Sequence, residues 1–339
     1  MKKSKLSVAL LTACMAATLL AGCGDKKTET TEATTEATTE AATEAATTTE
    51  ATVADATASE ADADEDENYE TGDASLDNVR NQDEIGDNEL LVVSFGTSFN
   101  DSRRLTIGAI EDKLDEEFGK DYSVRRGFTS QIIIDHVKRR DGIAIDNMAE
   151  ALDRAVDNGV KNLVIQPTHL MNGLEYTDVV NEVGDYADAF DQVVIGDPLL
   201  TSDEDFDEVV KAITDATAEY DDGETAICFM GHGTEADSNE VYQKMQDKLT
   251  DAGFENYFVG TVEATPSVDD VLAKVQAGDY KKVVLEPLMI VAGDHANNDM
   301  AGDDEDSWKS QFTASGNFDS VDTPVSYTHL RAHETLRHL

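Results

Sequence analysis

Residues 161–176, KNLVIQPTHLMNGLEY, and residues 281–296, KKVVLEPLMIVAGDHA, are two versions of one segment. Each carries a short run of Val, Ile and Leu, then Pro, then a Gly ahead of polar residues, which reads as a buried strand running out into a loop. Laid on one another, the copies put Glu175 where the second has His295. A carboxylate and an imidazole in equivalent loops of a duplicated unit are the ingredients of a divalent-metal site, because both ligate first-row metals.

Outward from these segments the chain alternates strand and helix. Strands are expected at 90–95, 122–127, 162–166 and 192–195, and again at 225–230, 257–262, 282–286 and 318–321. Amphipathic helices are expected at 102–118, 145–158, 206–220, 240–252 and 267–277. The pattern is βαβα twice, which predicts an α/β fold of two Rossmann-like lobes, residues 89–200 and 201–324, with parallel sheets and helices on both faces. Ligands of such sheets bind outside the carboxyl ends of the strands, so the active site is expected in a cleft between the lobes. A second correspondence agrees: SFGTS (94–98) follows the first strand of one lobe and GHGT (231–234) the first strand of the other.

His232 lies between two glycines after an apolar strand, where missing side chains let a ligand approach the imidazole closely. Taken alone it equally suits a cap on the next helix. His295, with Asp294 able to orient its ring, suits a ligand or a surface loop, and Glu175 alone is an exposed acid starting a helix. Together the three define an open site of two nitrogens and one oxygen that suits Co, Ni, Fe or Zn. His169 is read as pocket wall, and His136 as solvent-facing in a basic helix. Arg103, Arg104, Arg125, Arg126, Lys138, Arg139 and Arg140 cluster in the first lobe only. Ion pairs on solvated helix faces are the default reading for them, although Arg103 and Arg104 stand close enough to the SFGTS loop to meet a polycarboxylate ligand.

The formal net charge is -45. A chain so acidic repels phosphate backbones, which argues against a nucleic-acid partner, and it carries neither a phosphate-binding GxxxxGK nor a GxGxxG after a strand. Residues 1–23 open with Lys2, Lys3 and Lys5, continue through an apolar run too short to span a bilayer comfortably, and close on LAGC at Cys23. This reads as a lipoprotein signal, with a plain secretory signal as the alternative, and places the protein outside the cytoplasm on a lipid anchor. Residues 24–88, rich in Thr, Glu, Ala and Asp, read as a disordered acidic tether. Residues 325–339, abruptly rich in His and Arg, read as a non-native tail, so His329, His333 and His338 are set aside as ligands. Cys228 alone is left for the globular part, where it reads as a small core residue.

Six segments carry a family resemblance: LVVSFGTS (91–98) with TIGAIE (106–111), RDGIAID (140–146), NGLEY (172–176), FMGHGT (229–234) and PLMIVAGDHANNDMAGDDEDSWK (287–309). On these residues the chain resembles the anaerobic-type sirohydrochlorin cobalt chelatases, class II chelatases with two flavodoxin-like lobes. The resemblance implies a lyase that inserts Co2+ into a tetrapyrrole without nucleotide hydrolysis, in cobalamin biosynthesis. It also implies metal ligation by His232, His295 and Glu175, with His232 accepting pyrrole protons. Phe95, Thr97 and Met289 are then expected to line the ring face, and Arg103 or Arg104 to pair with peripheral carboxylates. The secretion signal supports a competing expectation: an extracytoplasmic lipoprotein that binds haem, another tetrapyrrole or metal on the same scaffold without turnover.

Overall fold

A computed structural model describes residues 71–324; the signal, most of the tether and the tail expected from the sequence lie outside the described residues. Strands β1 (Asn88–Ser94), β2 (Ser123–Phe128), β3 (Asn162–Pro167) and β4 (Gln192–Ile195) form one sheet in the order β2-β1-β3-β4. Strands β5 (Thr225–Gly231), β6 (Tyr257–Thr261), β7 (Lys282–Pro287) and β8 (Ser320–Asp322) form the other, in the order β6-β5-β7-β8. All pairings are parallel. The lobes therefore share one topology, with the two repeated segments supplying β3 and β7 at equivalent places.

The helices are α1 (Asn100–Leu105), α2 (Ile107–Phe118), α3 (Gln131–Asp141), α4 (Met148–Asp157), α5 (Leu174–Tyr186), α6 (Asp203–Thr217), α7 (Glu240–Asp251), α8 (Val268–Gln276) and α9 (Trp308–Ala314). Three of them start on capping boxes legible in the sequence: Asn147 with Glu150, Ser202 with Asp205, and Ser267 with Asp270. The single helix expected at 102–118 is two. Thr106 leaves helical geometry and its hydroxyl donates to the Ser102 carbonyl at 2.7 Å, which frees α1 to turn toward the second lobe. Among the described residues no helix is long and apolar enough to cross a membrane.

The repeat also builds the seam between the lobes. Leu170 and Met171, after β3, pack on the second-lobe core of Phe206, Ile227, Phe229 and Leu288. Their repeat partners reach the other way: Ile290 packs on the first-lobe cluster of Leu90, Val92 and Ile110, and Val291 on that of Ile107 and Phe128. Each lobe thus inserts the loop after its third strand into its neighbour, burying apolar surface that a single lobe would leave wet.

Three expectations about polar residues need correction. Arg103, Arg125 and Arg126 are fully buried. Arg125 pairs with Glu89 at 2.9 Å and Asp146 at 2.6 Å, while Arg126 forks onto Glu111, both bonds 2.7 Å, and also meets Asp77. These arginines hold the first lobe together from inside, because a buried guanidinium is tolerated only when its donors are met by carboxylates. His136 is buried at 6 % exposure, its helix packing Ile134 and Val137 inward beside it. Residues 71–87, assigned by composition to the tether, are packed onto the first lobe through Thr71, Asp77, Arg80 and Ile85. Cys228 lies wholly buried in β5, and burial pushes its thiol pKa well above the ordinary value, as a core residue requires.

Candidate metal centre

The Gly-His-Gly turn leaves β5 in a backbone that only glycine permits. A Cβ on Gly231 would overlap the Tyr242 ring, and Gly233 sits at φ +90°, where an added Cβ would stand 2.8 Å from the Ala264 amide. Tyr242 accepts the Gly233 N–H at 3.2 Å and so fixes the turn from beneath. His232 is therefore presented by a turn, and the following helix begins only at Glu240. The His232 Nδ1 lies 2.8 Å from the Gly233 carbonyl, which can only accept; Nδ1 carries the proton and Nε2 keeps its lone pair.

His295 comes from the loop after β7, at the start of a π-helical turn, Ala296–Met300. Its Nδ1 lies 2.6 Å from Asp299 Oδ2. The hydrogen bond from the ring to Asp299 is the main reason its pKa is raised, partly opposed by burial and aided by the charges of Asp299, Asp294 and Glu263. A carboxylate on the far nitrogen fixes the tautomer and makes Nε2 a stronger ligand. The residue that orients the ring is thus Asp299, one helical turn on; Asp294 instead accepts from Asn298 at 2.6 Å.

The two imidazoles meet edge to face with ring centroids 4.5 Å apart. Glu263, in the loop after β6, joins them: ligand atoms of His232, Glu263 and His295 all lie within 4.8 Å of one another. Its carboxylate is 3.9 Å from His232 Nδ1, and its amide donates to the His232 carbonyl at 2.9 Å. Glu263 was not singled out from the sequence. Its only signal there is its place three residues before Pro266, just past the carboxyl end of β6, which runs parallel to β5.

Glu175 is not one of these three. It starts α5 with its carboxylate half exposed and 3.8 Å from His169 Nε2. Burial and the neighbouring Asp178 raise its pKa. His169 is buried, neither ring nitrogen has a hydrogen-bond partner among the described residues, and burial depresses its pKa to about 4. Since the folded value lies below the ordinary 6.5, His169 contributes stability present above pH 6.5 and lost as pH falls toward 4. His169→Leu is expected to flatten that part of the acid limb in urea titrations at stepped pH.

The residues expected at the ring face fall into two groups. Phe95 is 47 % exposed beyond β1, free to offer a flat apolar surface, and Met289 is half-buried against the second-lobe core. Thr97 is buried, its hydroxyl accepting from the Phe99 amide at 3.2 Å and standing 3.5 Å from where a Cβ on Gly293 would lie. It shapes the loop opposite His295. Arg103 cannot meet a ligand carboxylate, because its guanidinium is buried on Asp77, the Thr97 carbonyl and Asn100. Arg104 is partly exposed and pairs with Asp101 at 3.2 Å.

Gly233→Ala tests how far the turn governs the site. The left-handed backbone should cost ~1–2 kcal/mol by urea denaturation, and the displaced imidazole should weaken cobalt binding measured by titration calorimetry.

Two parallel α/β lobes that exchange loops, with two oriented imidazoles and a carboxylate gathered on the second, are an α/β protein with a donor set that could hold a divalent ion. The chain belongs to the cobalt chelatase (CbiK) family, whose model matches residues 88–325. It is 39% identical over 227 residues to the sirohydrochlorin cobaltochelatase of Salmonella typhimurium, covering 67% of this chain and 85% of that protein. It is 30% identical over 249 residues to the sirohydrochlorin cobaltochelatase CbiKC of Nitratidesulfovibrio vulgaris, covering 71% and 86%. Among solved structures, SirB from Bacillus subtilis with Fe3+ superimposes with a TM-score of 0.52 at 13% identity, over 74% of this chain and 96% of that one, a likeness of fold.

Proposed function

We propose that this chain is a sirohydrochlorin cobaltochelatase in which His232 and His295 receive Co2+ and pass it to the ring. Family membership carries the reaction, insertion of cobalt into a tetrapyrrole for cobalamin synthesis. The paired imidazoles, 4.5 Å apart, carry the assignment of residues. Cobalt is here a substrate. Two nitrogens and one carboxylate hold it while leaving coordination positions for pyrrole nitrogens, so ligands can be exchanged without releasing the ion to water. Each pyrrole N–H must lose its proton as the metal enters. His232, half exposed and already protonated on Nδ1, takes one proton on Nε2 as that nitrogen gives up the ion, and the remaining proton passes to solvent.

Glu263, already beside the imidazoles, is the carboxylate that meets the incoming ion. Glu175, on the first lobe and opposite in the repeat, completes the set once the ring is bound. Glu263→Gln is therefore expected to lower cobalt affinity in the absence of tetrapyrrole. Glu175→Gln should leave that affinity nearly unchanged and slow insertion. The leader-like residues 1–23 support an anchored, extracytoplasmic enzyme.

The test is to mix purified protein with sirohydrochlorin and Co2+ and follow the absorption spectrum. Insertion well above the protein-free rate is expected. A rate equal to the control, together with tight haem binding, would replace the enzyme with a tetrapyrrole carrier.

A further inference from the structure

The family match begins at residue 88, yet the chain ahead of it is built into the first lobe. The Thr71 carbonyl accepts the Asp101 amide at 2.7 Å, and the Gly72 carbonyl accepts Asn100 Nδ2 at 3.2 Å, so this segment lies along α1. Asp77 then enters the interior, its side chain 1 % exposed. Its Oδ2 accepts from Arg103 Nε and from Arg126 Nη1, both at 2.7 Å, and its Oδ1 accepts from Arg126 Nη2 at 3.0 Å. Although burial opposes ionisation, the Arg126 and Arg103 guanidiniums hold the Asp77 carboxyl below the usual range.

What Arg103 does with its remaining donors gives the segment a role in the cleft. Its Nη1 donates to the Thr97 carbonyl at 3.0 Å, in the loop that ends β1 and displays Phe95. One residue earlier, Ser102 Oγ donates to the Ala292 carbonyl at 2.7 Å, across the seam and three residues before His295. Arg103 is thus one rigid piece between Asp77 and the cleft loop, on the helix that touches the loop of the second imidazole.

We propose that residues 71–77 form a clip that sets the cleft loop for the tetrapyrrole, with Asp77 the positioning residue acting through Arg103. The clip fixes the first-lobe wall and leaves the metal residues, which stand on the second lobe, to bind cobalt unaided. The proposal rests on the chelatase reading, so it is tested by ligand binding as well as turnover.

Asp77→Asn removes the charge that holds Arg103. Arg103→Lys keeps a cation beside Asp77 but loses the fork that spans to the Thr97 carbonyl; it also serves if the first variant does not fold. Sirohydrochlorin affinity is read by fluorescence quenching without metal, cobalt affinity by calorimetry without tetrapyrrole, and KM and kcat by absorption. Loss of one charge-assisted hydrogen bond predicts roughly tenfold weaker tetrapyrrole binding and a matching rise in KM. Cobalt affinity should stay within about twofold, because the metal residues hold their own geometry. Folded variants with unchanged tetrapyrrole affinity overturn the proposal, as does an equal loss of both affinities, which marks a prop for the whole fold. Absence of turnover in the parent protein with these binding effects intact would strike the chelatase reading and leave the clip standing.

Discussion

His232→Ala and His295→Ala are each expected to lower cobalt affinity by more than about 100-fold, with insertion falling in step. Losing an outer partner of a metal-bound histidine already costs roughly 10–100-fold; losing the ligand itself removes a bond and leaves one imidazole and one carboxylate, too few to compete with water for a divalent ion. Both side chains are partly exposed and neither supports the core, so the variants should unfold at the parent's denaturant midpoint. Asp299→Asn separates orientation from ligation. The amide cannot anchor the His295 ring as the carboxylate does, so affinity should fall by less than in His295→Ala. Calorimetric titration with Co2+ checks all three. Equal affinity in the parent and either alanine variant would contradict the site.

Arg126→Ala should have the largest effect on stability. The guanidinium is fully buried, with Glu111 and Asp77 both bound to it. Burial pulls its pKa down, but those two carboxylates more than offset it and hold the value above the ordinary one. Removing the cation takes both forked bonds from buried Glu111 and leaves Asp77 with Arg103 as its partner, and breaking such a buried pair costs ~3–5 kcal/mol. An exposed pair offers the contrast: Lys161 and Asp87 meet at 2.8 Å with both side chains more than half exposed, and solvent screening leaves Lys161→Ala little to lose. Urea denaturation of the two variants measures the difference. A small shift for Arg126→Ala would mean that the network is dispensable to the first lobe.

The sequence revealed the architecture because duplication and hydrophobic runs are local signals. Apolar segments ending in Pro167 and Pro287 mark the third strand of each sheet, and the glycines around His232 mark a turn whatever surrounds it. What it concealed depended on contacts distant in the chain. Arg125 and Arg126 look like surface charge until Glu89, Glu111, Asp77 and Asp146 are brought to them by the fold. Asp77 itself lies in a composition that reads as tether, and nothing in its neighbours announces that two buried arginines require it. Glu263 escaped notice for the same reason: a lone carboxylate after a strand is common, and only the third dimension sets it beside two imidazoles. His295 and Asp299 stand four residues apart, a spacing that on a helix puts both on one face. That signal was present, but Asp294 beside the histidine was the simpler partner to expect.

The most direct measurement is an anomalous-scattering map collected at the cobalt edge from crystals soaked in Co2+. The peak is expected within bonding distance of the Nε2 atoms of His232 and His295, with Glu263 as the nearest carboxylate. A fully occupied cobalt elsewhere on the chain, with both imidazoles bare, would contradict the account.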